Sequence, residues 1–375
     1  MDANPPTAFD CQMMAVALRM AERGLGQTSP NPSVGAVIAN TETGELIARA
    51  TTARGGRPHA ETQAIAIAGA RAQGATIYVT LEPCSHHGHT GPCAEAIIAS
   101  GLNRAVVAIE DPDPRVAGRG LDILRAAGLD VIRGVGADAA RWITRGHIVR
   151  ITERRPLVTL KMALDSDGEV PRGDGKTPKF ITGENARAHG HLLRARNDAI
   201  LIGAGTMRDD NPELTCRLPG LADRSPARIV LSRDAIAWSS SRMMQSAVDA
   251  PIVFVTGEAT AVVDKAPGID HAKVPVVGGQ LWLPAVMEAL VARGITQLLV
   301  EGGPTMWRAF AAASLVDEIV LYMAPANARG RADEAQARVA LQRRLGALPI
   351  ALIDQRTLDP DTMWRFRRIT HKEGL

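Results

Sequence analysis

Two Pro-Cys pairs, Pro83-Cys84 and Pro92-Cys93, and a His59-Ala60-Glu61 triplet upstream of them constrain this chain more than any other feature. With 4 cysteines in 375 residues, a disulfide framework has too few partners. One close pair of thiols in a reducing compartment then reads as metal-binding or catalytic. Imidazole and two thiolates make a three-ligand zinc set whose fourth position stays open for water, as in a hydrolytic centre and unlike the closed shell of a structural one. His59, Cys84 and Cys93 are the candidate ligands. Glu61, two residues beyond His59, can address that water without ligating the metal and carry its proton to a leaving amine. Such a set assembles only if the fold brings a helix start, a strand end and a second helix start to one point, which asks for layered α/β structure.

The rest of the pattern supplies it. In the first 150 residues helical and strand-like stretches alternate: an amphipathic 13–23, an apolar 34–38, a helix over 59–71, a strand at 76–81 and a helix over 92–100. A strand at 105–109, a helix over 121–127, a short strand at Val131 and a helix over 138–150 complete that part. A basic stretch from Arg150 to Pro156 marks the boundary. Beyond it, strands are expected at 157–162, 199–202, 227–231, 252–255, 297–300 and 318–323, with two more at the end. Helices are expected over 184–196, 283–293 and 304–313, and a loop-rich insert over 211–225. The reading is two α/β domains, 1–150 and 156–375, the second mostly parallel in its middle. A hydrophobic fraction of 46% is ample for two cores, and an aromatic share of 3% makes them aliphatic.

Charge and hydropathy narrow the function. A net charge of +3 leaves no strong nucleic-acid footprint. No run of eighteen apolar residues and no basic-then-apolar start predict an enzyme that neither spans a membrane nor enters the secretory route, working in the cytoplasm.

The order H-x-E, then P-C and a further cysteine, is the signature of zinc nucleobase deaminases, with a wider cysteine spacing here. Tyr78-Val79-Thr80-Leu81-Glu82-Pro83-Cys84-Ser85-His86, followed by Gly88, Thr90, Pro92 and Cys93, resembles the deaminase half of the bifunctional riboflavin-biosynthesis deaminase/reductases, which share that wide spacing. Pro30-Asn31-Pro32-Ser33-Val34-Gly35, Asp111-Pro112-Asp113-Pro114 and Val116-Ala117-Gly118-Arg119-Gly120 extend the resemblance over most of residues 10–120. It implies a cytidine-deaminase-like three-layer domain in which His59, Cys84 and Cys93 hold Zn2+ and Glu61 is the proton shuttle. Asn31, His86 and Asp111 would contact the pyrimidine or the ribose phosphate. The chain departs from the family at Thr52, where a histidine is common, at His89, where Lys or Arg is usual, and at Asp113, usually Asn. All three lie on the substrate side of the site.

After Pro156 the glycine-rich turns lack the Gly-x-Gly-x-x-Gly order of an ordinary dinucleotide site. Val158-Thr159-Leu160-Lys161, Ile181-Thr182-Gly183, Ile202-Gly203-Ala204-Gly205-Thr206 with Asp210 and Pro212, Leu214-Thr215-Cys216-Arg217 and Val300-Glu301-Gly302-Gly303 resemble the reductase half of the same family. This implies a dihydrofolate-reductase-like fold that uses NADPH. Thr206, Asp210, Gly303, Pro304 and Thr305 would then hold the cofactor, with Ala163 and Phe180 lining its nicotinamide. Thr182, Arg194, Leu214, Arg217 and Glu301 would hold the substrate, the two arginines on its phosphate. Lys161 and Asp210 are the candidates for polarising or protonating the opened ribose aldehyde as hydride arrives. Departures fall at Asp165-Ser166, at Phe180, usually Trp, and at Ala326, where the family has Lys.

The sequence therefore points to a bifunctional enzyme of riboflavin biosynthesis acting on a small phosphorylated pyrimidine, a homo-oligomer (dimer or tetramer) with no nucleic-acid partner. Three alternatives stay open: a deaminase whose second domain is structural or regulatory, a nucleic-acid base deaminase, and a non-catalytic zinc module closed by His86, His87 or His89. Cys11 and Cys216 read as small buried hydrophobes.

Overall fold

Helix α1 (Ala8–Gly24) is set by the residues at its start. The Thr7 hydroxyl accepts from the Asp10 amide at 3.1 Å, and the Asp10 carboxylate accepts from the Thr7 amide at 2.8 Å, a reciprocal cap for two otherwise orphaned donors. Asp10 is fully buried; Arg104 forks onto its oxygens at 2.7 and 3.0 Å and Tyr78 Oη donates to it at 2.9 Å. The cap, not the apolar stripe, fixes the start, so the helix begins ahead of residue 13. These contacts are those of a computed structural model, which describes residues 5–86, 91–170, 181–234, 241–260, 266–325 and 331–369. The chain divides into two units, Met1–Arg155 and Pro156–Leu375.

In the first unit, β1 (Gly35–Ala39), β2 (Leu46–Thr51), α2 (Ala60–Ala68), β3 (Thr76–Val79), α3 (Cys93–Ala99), β4 (Arg104–Val107), α4 (Arg119–Ala126), β5 (Asp130–Arg133) and α5 (Ala137–Glu153) follow α1. The sheet order is β2-β1-β3-β4-β5, with β1 antiparallel to both neighbours and β3, β4 and β5 parallel. α1 packs with α5, while α2, α3 and α4 pack in series. The core is Ala, Val and Ile from both sides of the sheet, as the scarcity of aromatics requires. The alternating strand β2 escapes the sequence reading because Arg49 points out between buried Ala48 and Ala50.

The second unit runs β6 (Leu157–Leu164), α6 (Glu184–Ala195), β7 (Ala199–Gly203), α7 (Ala204–Asp210), β8 (Ala227–Leu231), β9 (Ile252–Gly257), β10 (Ile269–Val274), β11 (Val276–Val277) and β12 (Gln280–Leu281). α8 (Leu283–Ala292), β13 (Gln297–Val300), α9 (Pro304–Ala312), β14 (Glu318–Met323), α10 (Glu334–Leu345), β15 (Ile350–Leu358) and β16 (Asp361–Arg368) complete it. The 9-stranded sheet has the order β10-β9-β8-β7-β13-β6-β14-β16-β15. It is parallel from β10 to β14 and antiparallel at β16 and β15. The sequence reading lacks α7, β10, α10 and the small β11–β12 hairpin. Arg228 on β8 is fully buried with no carboxylate in hydrogen-bond contact among the described residues. Its guanidinium goes to the carbonyls of Glu213, Met243, Ser246 and Ala250, and burial lowers its pKa to about 10. Cys216 is buried as expected, but Cys11 is exposed: it lies on the outer face of α1, where no core element covers it.

Candidate active sites

His59 is the N-cap of α2 and Cys93 the first residue of α3, while Cys84 stands in the irregular segment after β3, beyond the strand end that the sequence suggests. Their ligand atoms lie within 4.8 Å of one another, the one such group of three among the described residues. His59 Nδ1 is 3.2 Å from Cys93 Sγ and 3.7 Å from Cys84 Sγ. Donors on one tetrahedral zinc, bound at about 2.0–2.3 Å, stand about 3.5 Å apart, so the set fits that ion. The electrostatics favour a thiolate at Cys84 alone. The hydrogen bond from Cys93 takes the Cys84 thiol down to about 4, while the same contact and burial push Cys93 far up. His59 is raised, first by its hydrogen bond with Cys84. One sulfur gives up its proton readily, as a metal ligand must.

Glu61, in the first turn of α2, is buried, and that burial pushes its carboxyl up against the pull of His59. A carboxyl that holds a proton more readily than usual is suited to relaying one. Asn31 Nδ2 donates to Gly56 O at 2.8 Å and sits 3.4 Å from His59 Nε2. His86 is exposed, and His87 and His89 lie outside the described residues. Thr52 is buried, its hydroxyl accepting from the Val34 amide at 3.0 Å, which makes it part of the β1 framework.

Asp111 Oδ1 accepts from the Asp113 amide at 2.9 Å and lies 3.1 Å from His147 Nε2 on α5. Asp113 is itself forked by Arg115, whose Nε reaches both carboxylate oxygens at 3.0 Å and holds the acid down at about 2. Sequence reasoning gave no role to His147, Arg115 or Glu82. The carboxylate of Glu82, which adjoins Pro83-Cys84, accepts from the amides of Asp111, Gly118 and Gly120 at 3.2, 2.9 and 2.8 Å. Its place in the Leu81-Glu82-Pro83-Cys84 string is the only signal that could have raised it.

In the second unit, three expected residues meet. Arg194 on α6 forks onto Glu301 with two contacts of 2.9 Å, and Lys161 Nζ on β6 lies 3.8 Å from the same carboxylate. Burial alone would raise Glu301, but the charges of Arg194 and Lys161 take it down to about 2. Arg194 also donates to Thr215 O at 3.2 Å, tying α6 to the segment that carries Leu214 and Arg217. Leu214 is buried at φ 58°, a left-handed backbone unusual for its type. Arg217 is half exposed and paired with Glu213 at 3.0 Å. Thr182 accepts from Arg187 at its carbonyl, 2.7 Å. Asp210 is exposed at the end of α7, and no polar contact joins it to the Lys161–Glu301 pair among the described residues.

α7 follows β7 directly and α9 follows β13 directly, and these strands are neighbours in the sheet. Two helix starts therefore lie side by side at the C-terminal ends of two central parallel strands, where first-turn amides lack intrahelical acceptors. Gly303 caps α9, and among the described residues nothing lies within 4 Å of where a Cβ on it would stand, an open cradle of the kind a dinucleotide phosphate needs. Thr206 sits in α7, Pro304 and Thr305 in the first turn of α9, and Ala163 opposite Tyr322 in the β6–β14 register. On this count the residues present fit the phosphate of a nicotinamide dinucleotide. Phe180 and Ala326 lie outside the described residues. Asp165 makes a tight turn after β6, its carboxylate accepting from the Asp167 and Glu169 amides at 3.0 and 2.8 Å with Ser166 inside the turn.

Residues 7–109 match the family model of the cytidine and deoxycytidylate deaminase zinc-binding region, and residues 156–330 that of the RibD C-terminal domain. The riboflavin biosynthesis protein RibD of Bacillus amyloliquefaciens is 37% identical over 313 residues, 83% of this chain and 83% of that protein. RibD of Acinetobacter baumannii superposes with a TM-score of 0.80 at 30% identity, over 96% of this chain and 99% of that structure. A diaminohydroxyphosphoribosylaminopyrimidine deaminase/5-amino-6-(5-phosphoribosylamino)uracil reductase of Thermotoga maritima gives 0.79 at 29% identity, with the same coverage. The expected fold class, a deaminase-like domain followed by a reductase domain, stands on these matches.

Proposed function

The chain belongs to the RibD family, the bifunctional deaminase/reductases of riboflavin biosynthesis, and we propose that residues 1–150 carry the hydrolytic step and 156–375 the reductive one. The first substrate is diaminohydroxyphosphoribosylaminopyrimidine, which loses an exocyclic amine as ammonia. The ribosyl chain of the product is then reduced to ribityl. Zn2+ on His59, Cys84 and Cys93 supplies a water activated at neutral pH, and NADPH supplies the hydride. Glu61 takes a proton from the water as its oxygen bonds to the ring carbon, then returns it to the nitrogen as the C–N bond breaks. Asn31 and Asp111 orient the pyrimidine, with His86 toward its ribose phosphate. In the second site Lys161 polarises the aldehyde oxygen, and Lys161 or Asp210 delivers the proton that completes the alcohol. Arg194, committed to Glu301, holds that carboxylate toward the ribose, which leaves Arg217 as the freer of the two arginines for the phosphate. Thr182 and Leu214 shape the same pocket, and Thr206 with Gly303 to Thr305 holds the cofactor, its nicotinamide against Ala163 and Phe180. The enzyme works in the cytoplasm as a homo-oligomer; no helix among the described residues is long and apolar enough to cross a membrane.

One observation carries this reading: three metal-competent donors converge within 4.8 Å and a buried carboxyl stands in the first turn of the helix that His59 caps. Mass spectrometry of the product with and without NADPH tests both halves. Without NADPH, oxygen replaces the amine; with it, the product gains two hydrogens. Glu61→Gln should stop deamination, by roughly 100-fold or more, with zinc retained, and Lys161→Ala should stop NADPH consumption on the deaminated substrate. Wild-type protein that deaminates but consumes no NADPH would leave the second unit without the reductase role.

A further inference from the structure

We propose that Glu82 is a positioning residue for deamination: its carboxylate locks the loop 111–120 onto the metal-ligand turn and so sets where Asp111 meets the substrate. The inference rests on the reading that Asp111 contacts the substrate.

Glu82 is 3% exposed, a carboxylate removed from water in a wall of the deaminase unit. No cation lies on it among the described residues; its partners are three backbone amides, those of Asp111, Gly118 and Gly120. Gly118 is the N-cap of α4 and Gly120 its second residue, so the carboxylate caps that helix from another part of the chain. Negative charge at a helix start and charge-assisted hydrogen bonds both stabilise this contact. The approach is close enough to demand glycine: a Cβ on Gly120 would stand 2.1 Å from the Pro83 carbonyl and 3.1 Å from Glu82 Oε1. One side chain thus joins the residue before Pro83-Cys84 to both ends of a loop of ten residues.

Asp111 sits at the near end of that loop. Its amide is fixed by Glu82, its carboxylate by the Asp113 amide and His147 Nε2. Only a carboxylate can accept on both oxygens. A glutamine would turn an NH2 toward at least one of the three amides, so the loop must move. Displacing a binding group by about 1 Å costs on the order of 100-fold in rate.

The test uses the full chain with Glu82→Gln, Asp111→Asn and the double variant. Bound zinc, deaminase kcat and KM, and reduction of the deaminated substrate are measured on each protein. Glu82→Gln should keep its zinc and its reductase turnover, and lose about 10- to 100-fold in deaminase kcat/KM, mainly through KM. The double variant should fall no further than Asp111→Asn alone, because both changes remove the same contact. Glu82→Asp, which keeps the charge, should recover part of the loss and serves in place of the glutamine variant if that does not fold. Wild-type KM in both Glu82 variants beside an impaired Asp111→Asn overturns the positioning role alone. Loss of zinc with the activity also overturns it, since Glu82 would then serve the metal turn. Wild-type KM in Asp111→Asn overturns the substrate reading on which it rests.

Discussion

Glu301 offers a quantitative test of the second site. Its side chain is 7% exposed, beneath Arg194 and beside Lys161. The fall of its carboxyl from 4.5 to about 2 corresponds, at about 1.4 kcal/mol per tenfold change in proton affinity, to about 3 kcal/mol in favour of the charged form. Because the folded value lies below the unfolded one, that stability is complete above the ordinary carboxylate range and is lost as pH falls from about 4.5 toward 2. Glu301→Gln removes it at pH 7 and leaves Arg194 without its counter-charge, a change that costs about 3–5 kcal/mol for a buried pair. Urea denaturation, followed by fluorescence of Trp307 and Trp364 buried in this unit, should show that loss at neutral pH and a much smaller one near the folded pKa. Arg194→Met with Glu301→Gln should recover about half or more of it, since no buried charge is then left alone. A loss under about 1 kcal/mol at neutral pH, or one unchanged by acid, would refute the reasoning.

Chelation of the metal should end ammonia release while reduction of the deaminated substrate continues, because the ligands all lie in the first unit; parallel loss of both activities counts against the assignment. Asp10→Asn should destabilise the first unit by on the order of 3 kcal/mol, since it strips the charge that Arg104 and Tyr78 share. Attraction to Arg104 and its hydrogen bonds outweigh burial and hold the Asp10 carboxyl far below its usual range, so this penalty must shrink in strong acid; equal penalties at neutral and acid pH would count against it. Arg228→Met leaves the carbonyls of Glu213, Met243, Ser246 and Ala250 without their donor and should cost at least about 3 kcal/mol by the same denaturation assay, with a neutral result refuting the clamp.

The alternation of strands and helices is legible because parallel strands are buried on both faces and read as unbroken apolar runs. β8, β13 and β14 match the expected residues end for end, and β6, β7 and β9 run one or two longer. Elements that escape the reading lack that signal. β10 is an edge strand in which Asp270, His271 and Lys273 put polar groups on both faces, so it shows no apolar run. α10 is broken up by Arg338, Arg343 and Arg344, which interrupt its apolar stripe, and its best mark is the reciprocal cap of Asp333 and Gln336, a short polar pattern easily taken for a turn. α7 begins Ala-Gly-Thr, which reads as loop until the strand end that precedes it is known.

The candidate metal ligands are legible for a different reason: few side chains bind zinc, and each of the three directly follows a proline, His59 and Cys93 at helix starts and Cys84 in the segment after β3. Glu82 and His147 carry no such mark. One has backbone amides as partners, which every residue offers, and the other reaches Asp111 across 36 positions of chain. Asp113 shows how a departure from a family pattern can mislead when read alone. As a bare substitution for asparagine it adds negative charge to the loop that carries Asp111. Arg115, two residues on, forks onto both oxygens and keeps the acid ionised at about 2, so the pair is neutral while the Arg115 side chain remains 73% exposed. An anion approaching this loop meets an arginine already oriented by its neighbour and not an uncompensated carboxylate. The two positions act as one unit, and the spacing of acid and base, more than the loss of asparagine, decides what this part of the site presents.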